Sequence, residues 1–189
     1  DKFVETVKAI APTFGGINLE DIKAPESFEI ERRLVEELNI PVMHDDQHGT
    51  AIISSAALLN ALELAEKKPE DIKMVVSGAG SAALACADLY VLLGVNPKNI
   101  FMFNSKGLLT KDNPSLSSMQ QKYAREGQSL TLEEALVGAD LFLGLSSGDL
   151  LTPTMLLGMA ENPIVFAMAN PNPEIAYNTA IATRKDIIM

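Results

Sequence analysis

Two pairs of adjacent carboxylates are the residues whose types and spacing point most directly to chemistry. Asp45 and Asp46 follow the apolar run at residues 40–43 and precede a long helical pattern, and Glu20 and Asp21 follow a second apolar run. Ligands of parallel α/β sheets bind at the C-terminal ends of strands, where two acidic strand ends can converge. Adjacent carboxylates repel each other unless a cation lies between them, and Mg²⁺ or Mn²⁺ suits their oxygens. A solvated turn or a helix cap explains Asp45 and Asp46 alone equally well, and the second pair favours a metal.

A glycine-rich stretch at residues 78–83 lies between a predicted strand and a predicted helix, where its spacing indicates a dinucleotide-binding turn. The first glycine permits the tight turn, and the second lets a pyrophosphate approach the backbone. The small third residue lets the helix pack on the strand, and the helix N-terminus faces the phosphates. This pattern favours cofactor binding over a purely structural turn. The residues assigned to the turn are Gly78, Ala79, Gly80, Ser81, Ala82 and Ala83.

The next predicted strand ends at Asn104 and Lys106, about where an acid that binds the ribose is expected. Asparagine does not repel a 2′-phosphate as a carboxylate would, and Lys106 could pair with that phosphate. These two residues mildly favour NADP over NAD. An ordinary turn with an exposed lysine is nearly as good an explanation.

Two later strand ends carry Ser146 and Asn170, and we assign both to the cofactor site. Asn170 lies between an apolar strand and a proline, so its amide is aimed either at a carboxamide or carboxylate of a ligand or at the cap of a helix that begins at residue 173. His44 and His48 have the spacing of a zinc pair, but Gly49 argues against a regular helix that holds both. We interpret the two histidines as structural or supporting residues.

The elements that must position these residues alternate between strand and helix patterns. This alternation predicts an α/β fold: a Rossmann-like doubly wound parallel sheet, preceded by a short α/β segment that carries the metal-ligand carboxylates. We expect the C-terminal part of a substrate and metal domain at residues 1–68 and an NAD(P)-binding Rossmann domain at residues 69–189. The helix at about residues 50–67 is apolar on all sides, which predicts burial at a subunit or domain contact. The predicted strands lie at residues 13–17, 40–43, 73–77, 99–103, 140–145 and 164–168, with another beginning at residues 186–189.

Composition narrows the class of protein. With 189 residues, 47% of them hydrophobic, the chain is long enough for one well-packed domain. A net charge of −10 argues against nucleic acid or an anionic membrane as partner. The single cysteine, Cys86, is expected to be a small buried residue, and a cytoplasmic location is the default. No apolar run reaches membrane-spanning length, and both chain ends look cut from a longer protein.

The motifs follow one another along nearly the whole chain as they do in malic enzymes, especially the bacterial type, which this chain therefore resembles. The resemblance implies oxidative decarboxylation of malate to pyruvate and carbon dioxide, with NAD or NADP as hydride acceptor and a divalent cation. The stretches that carry the resemblance are FGGINLEDI, IPVMHDDQHGTAI, GAGSAA, NSKG, GADLFLGLSS with LLTPTM, and FAMANPNPEI.

The resemblance also implies roles for individual residues. Glu20, Asp21 and Asp46 correspond to the metal ligands, Asp45 to an active-site acid near a catalytic lysine, and Asn170 to a residue at the substrate and nicotinamide. The family's tyrosine acid and lysine base match nothing in this chain, because they belong to a segment that would precede residue 1. We therefore expect the chain alone to be inactive. The alternatives are a catalytically silent NAD(P)- and metal-binding module, or another Rossmann oxidoreductase that needs no acidic pairs. The family resemblance also implies a homodimer or a higher homo-oligomer.

Overall fold

The structure is a computed structural model that describes residues 1–23, 25–127 and 129–189. Helices and strands alternate along these residues. The helices in these ranges are α1 (Lys2–Ile10), α2 (Glu26–Glu37), α3 (Asp45–Ala65), α4 (Ser81–Leu92), α5 (Ser118–Gln121), α6 (Leu132–Leu136), α7 (Pro153–Gly158) and α8 (Tyr177–Thr183). The strands are β1 (Ile17–Leu19), β2 (Val42–His44), β3 (Met74–Ser77), β4 (Ile100–Asn104), β5 (Gly107–Leu108), β6 (Leu141–Gly144) and β7 (Ile164–Ala167). Short 3₁₀ helices lie at Ala11–Thr13 and Pro97–Asn99.

The strands form two sheets. β1 and β2 pair in parallel, with Leu19 opposite His44. The larger sheet has the order β5-β4-β3-β6-β7, in which only the short β5 is antiparallel to its neighbour. At its edge, Ile188 makes a parallel bridge to Ile164, where the sequence predicts the beginning of another strand. This architecture confirms the predicted α/β class with a mostly parallel sheet.

Apolar side chains cover both faces of the larger sheet, because the strand residues alternate between two cores. Met74 and Val76 of β3 lie in a core with α3 and α4, whereas Val75 lies in a core with α6, α7 and α8. The sheet is therefore doubly wound, with helices on both faces. α3 contributes Ala51 and Leu58 to the first of these cores. The predicted domain boundary after residue 68 stays a prediction.

Two predicted boundaries in the first segment were wrong. Residues 13–17 do not form a strand, since a 3₁₀ helix begins at Ala11 next to Pro12 and β1 begins only at Ile17. The helix predicted from about residue 50 begins at Asp45, so both adjacent aspartates lie in its first turn, where negative charge is favourable. The lack of a Cβ at Gly49 makes room in this helix for the Asp45 carboxylate, which an added Cβ would overlap.

One side of α3 is exposed within this chain, and the predicted burial of the helix at a subunit or domain contact stays a prediction. Ile52, Ile53, Leu59 and Leu64 are between 50% and 73% exposed, because only the opposite side packs against the core. Val35 of α2 is likewise exposed although its spacing predicts a core position.

Two further details also differ from the sequence prediction. The helix expected to start at residue 173 begins at Tyr177, and α4 starts two residues earlier than its pattern indicates. The other strand boundaries agree to within one or two residues. Over the ranges that the structure describes, no helix is both long and apolar enough to cross a membrane.

Candidate functional site

The two acidic strand ends converge, as their positions in the sequence predict. Because Leu19 and His44 are paired in register, Glu20 and Asp45 both follow directly at the same edge of the small sheet. The backbone N–H of Asp21 donates a hydrogen bond to Oδ2 of Asp46 at 3.2 Å. Asp21 has φ of +54°, in the left-handed region that residues with a side chain rarely adopt. The turn that carries Asp21 is therefore held in a strained conformation beside Asp46.

Three carboxylates from two neighbouring strand ends suit a hard divalent cation by the chemistry of their oxygens. Glu20 and Asp21 are exposed, Asp46 is half-exposed, and Nδ2 of Asn18 donates to Oε1 of Glu20 at 2.9 Å. Within residues 1–23, 25–127 and 129–189, no three His, Cys, Asp or Glu side chains are grouped closely enough to count as a ligand set. The donor types fit a metal site, and the assignment of Glu20, Asp21 and Asp46 stays a prediction.

Glu31 of α2, which sequence reasoning missed, anchors the start of α3. Its Oε1 accepts from the backbone N–H of His44 at 2.8 Å and lies 2.9 Å from Nε2 of His48. Its Oε2 accepts from Nε2 of Gln47 at 3.4 Å. His44 is fully buried and His48 half-exposed, and the interpretation of both as structural or supporting residues stays a prediction. They help to hold the turn that carries the aspartates.

The glycine turn connects β3 to α4, as predicted, and its two glycines differ in environment. Gly78 has φ of +121°, and a Cβ added there would lie 2.6 Å from the carbonyl oxygen of Leu145. Gly80 has φ of −85°, and an added Cβ would meet no atom of the described residues within 4 Å. The first glycine thus allows β3 and the chain after β6 to approach each other, whereas the second leaves open space beside the backbone.

The N-terminus of α4 offers donors for an anion. Gly80 is the N-cap residue, and among the described side chains none caps the helix. Leu84 makes the first intrahelical bond, to the carbonyl of Gly80 at 3.1 Å, so the N–H groups of Ser81, Ala82 and Ala83 lack helical partners. Such a helix start attracts phosphate because its N–H groups and its dipole both favour negative charge.

The other predicted cofactor residues lie at the same edge of the larger sheet. Oγ of Ser77, at the end of β3, lies 2.7 Å from Oγ of Ser146, which follows β6. Oδ1 of Asn104 accepts from the backbone N–H of Lys106 at 2.8 Å. Lys106 is exposed and lines a groove of about 630 Å³ beside β5. The order of the strands reverses between β3 and β6, and ligands of open α/β sheets bind at this switch point.

A buried carboxylate that sequence reasoning missed joins the loops of Ser146 and Asn170. Glu174 is 0% exposed, and its two oxygens accept from the backbone N–H groups of Ser146 and Ala169, each at 3.1 Å. Gly144 makes room for it, because a Cβ there would overlap the carboxylate. Asn170, next to Ala169, is exposed. No local signal distinguishes Glu174 from an exposed loop acid, since one of its two partners, Ser146, lies 28 residues away in the sequence.

Two of the three tyrosines, Tyr90 and Tyr123, and the cysteine Cys86 are buried and contribute to packing. Tyr90 is fully buried, and burial raises the pKa of its hydroxyl. Tyr123 donates to Oδ1 of Asp88 at 2.6 Å, and burial together with that carboxylate raises its pKa. Burial also raises the pKa of the Cys86 thiol, and its buried position confirms the prediction of a small buried residue. Tyr177 is exposed on α8.

A doubly wound parallel sheet with an open glycine turn at its switch point defines a Rossmann-type dinucleotide-binding domain. The family model described as malic enzyme, NAD binding domain, matches residues 47–187, and the model for the malic enzyme N-terminal domain matches residues 1–35. The chain belongs to the malic enzyme family.

Named relatives agree with this family. The chain is 52% identical over 190 residues to an NAD-dependent malic enzyme of Rhizobium meliloti, covering all of this chain and 25% of the relative. It is 50% identical over 187 residues to an NADP-dependent malic enzyme of Halomonas elongata, covering 99% of this chain and 44% of the relative. The solved NAD-dependent malic enzyme of Thermotoga maritima is similar with a TM-score of 0.89 and 45% identity, over 96% of this chain and 49% of that one. The chain thus spans between a quarter and half of the length of these relatives.

Proposed function

We propose that the protein containing this chain oxidises malate at C2 with NAD or NADP and releases carbon dioxide to leave pyruvate, with a divalent cation bound. The observation that carries the proposal is the pairing of β1 with β2. This pairing brings Glu20 and Asp21 beside Asp46 in a chain that also has an open glycine turn. Either feature alone occurs in many folds, and their combination suits a hydroxy acid held by a metal beside a dinucleotide.

The residues of this chain divide into three tasks. Glu20, Asp21 and Asp46 would hold Mg²⁺ or Mn²⁺, which supplies charge stabilisation for the oxygen at C2 of the substrate. The N–H groups at the start of α4 would bind the diphosphate of the cofactor, which supplies the hydride acceptor. Asp45, in the first turn of α3, would contribute an acid next to the bound substrate.

The remaining strand ends would orient the reacting parts. Ser146 and Asn170 lie on two loops that Glu174 ties together, so their separation is set by a buried carboxylate. We infer that Asn170 directs its amide to the nicotinamide or to the substrate carboxylate, while Ser146 lies along the cofactor. A fixed separation of the two loops keeps the hydride donor and acceptor in one geometry, which lowers the entropic cost of reaction.

Substitution of Asp46 by alanine tests the metal assignment. In the full-length protein that contains this chain, Asp46→Ala should abolish malate-dependent reduction of NAD and NADP with Mn²⁺. It should also weaken Mn²⁺ binding measured by calorimetry, because one carboxylate ligand is lost. Cofactor binding should stay near that of the parent. Asp71→Ala is the matched control, since Asp71 is exposed and precedes β3 at the opposite edge of the sheet.

Unchanged turnover and Mn²⁺ affinity in Asp46→Ala would refute the ligand assignment. A parent protein that binds the dinucleotide but never turns over malate would instead support the silent-module alternative.

A homo-oligomer and a cytoplasmic location stay predictions. The exposed apolar side of α3 suits a contact with a second copy or with another part of the same protein.

A further inference from the structure

Gln120 of α5 reaches the glycine turn from a segment that the predicted site does not include. Its Nε2 donates to the backbone carbonyl of Ala79 at 2.9 Å in a partly buried position. The other end of the same amide is also held, because Oε1 accepts from the backbone N–H of Ser117 at 3.1 Å. The backbone N–H of Gln120 in turn donates to Oγ of Ser117 at 3.3 Å, which completes a capping box. The side chain is therefore fixed in its reach toward Ala79.

The bonded carbonyl belongs to the same peptide unit as the N–H of Gly80. A trans peptide is planar, and its C=O and N–H point in opposite directions. The bond from Gln120 to Ala79 therefore aims the N–H of Gly80 away from α5. Gly80 is also the position where the structure leaves open space beside the backbone. Rotation of this peptide plane would turn away a donor that the diphosphate needs.

α5 does not depend on Gln120 alone for its place. Tyr123, just after the helix, donates to Oδ1 of Asp88 on α4 at 2.6 Å. Met119 packs against the large core next to α4. Loss of the Gln120 amide should therefore leave α5 in position while freeing the peptide between Ala79 and Gly80.

We propose that Gln120 is a positioning residue for the cofactor: its amide orients the Ala79–Gly80 peptide so that the turn binds the diphosphate of the dinucleotide. The inference rests on the proposed function, because it assumes that the glycine turn binds NAD or NADP. It adds a residue from a different segment of the chain to that site. Gln120 acts through the backbone and need not touch the ligand.

Four single variants of the full-length protein that contains this chain separate this role from a general structural one. Gln120→Ala removes both the bond to Ala79 and the cap acceptor, whereas Gln120→Glu keeps an acceptor for Ser117 but cannot donate to Ala79. Ser117→Ala removes the capping oxygen and leaves the Gln120 amide in place. Gln121→Ala is the neighbouring control, since its side chain only donates to the carbonyl of Asn113, at 3.4 Å.

The probes are NADH, NADPH, ADP and adenosine, with affinities measured by calorimetry and with KM for malate measured in parallel. We expect both Gln120 variants to bind the dinucleotides and ADP about threefold to tenfold more weakly, the range for loss of one hydrogen bond. Adenosine should bind as it does to the parent, because it carries no diphosphate. KM for malate should not change, and Ser117→Ala and Gln121→Ala should match the parent for all four probes.

The inference is overturned if Gln120→Glu binds ADP as tightly as the parent. It is also overturned if the affinity for adenosine falls as much as the affinity for ADP, or if Ser117→Ala lowers the affinity for ADP equally. Either result means that helix packing, and not the bond to Ala79, determines binding. If alanine at residue 120 prevents folding, the comparison of Gln120→Glu with Ser117→Ala decides. A parent protein that binds no dinucleotide would overturn the proposed function itself and this inference with it.

Discussion

The two glycines of the cofactor turn should respond to alanine in opposite ways. At Gly80 the added methyl group enters open space with an ordinary φ of −85°. Alanine is a poorer N-cap than glycine, but it also reduces the entropy of the unfolded chain, so the free energy of unfolding should change by less than about 1 kcal/mol. If the diphosphate occupies the open space, the methyl group overlaps it at a cost of about 1–3 kcal/mol, or about 5- to 150-fold in Kd.

At Gly78 the same substitution should damage the fold. A φ of +121° is unfavourable for alanine, and the methyl group would lie 2.6 Å from the carbonyl oxygen of Leu145. Strained backbone costs about 1–3 kcal/mol, and overlap in a packed region adds about 1–3 kcal/mol, so the free energy of unfolding should fall by about 2–6 kcal/mol. For a chain of this size the loss corresponds to a drop in Tm of at least about 4 °C.

Thermal unfolding, monitored by circular dichroism, measures the effect on Tm. Calorimetric titration with NADH and NADPH measures the effect on cofactor affinity. Gly80→Ala should keep the Tm of the parent and lose affinity, whereas Gly78→Ala should lose Tm. Normal cofactor affinity in Gly80→Ala would refute the assignment of the open space to the diphosphate. A parent-like Tm in Gly78→Ala would refute the packing argument at the switch point.

Two further predictions concern the surface of the larger sheet. Lys106→Ala should weaken binding of NADPH more than binding of NADH, because only NADPH carries the 2′-phosphate with which the lysine is predicted to pair. Equal effects in calorimetry would remove the inferred preference. The Arg184 guanidinium, 2.6 Å from the carboxylate of Asp186, lowers the pKa of Asp186 to about 2. Since this folded pKa lies below the unfolded value of about 3.9, the stabilisation is present above pH 4 and is lost as the pH falls toward 2. Between pH 4 and pH 2, the free energy of unfolding measured with urea should therefore fall less for Asp186→Asn than for the parent. An identical fall would contradict the assigned ion pair.

Local patterns in the sequence were sufficient to predict the alternation of elements and the places where they end. Runs of apolar residues predicted β3 and β6 to within one residue, because central parallel strands are buried on both faces. The capping box of Thr131 and Glu134 and the N-cap Thr152 are local in the same sense, because a cap depends on residues only three apart. Such features depend on neighbours along the chain.

The interactions that tie distant segments together could not be predicted in this way. Glu31 looked like an outer residue of a helix, and Glu174 looked like a loop acid, yet each is held by backbone groups from other elements. Gln120 contacts Ala79 across 41 residues of sequence. A side chain's partners and burial depend on which elements pack together, and no short stretch of sequence contains that information.

The sequence by itself determined the family resemblance, the fold class, the glycine turn and the two acidic strand ends. The tertiary structure alone decided that Gly78 is required by packing whereas Gly80 leaves room for a ligand, and that α3 has one buried and one exposed apolar side. The physical reason is that motif chemistry and periodicity are local properties. Free space, exposure and hydrogen-bond partners are instead set by segments that meet only after the chain has folded.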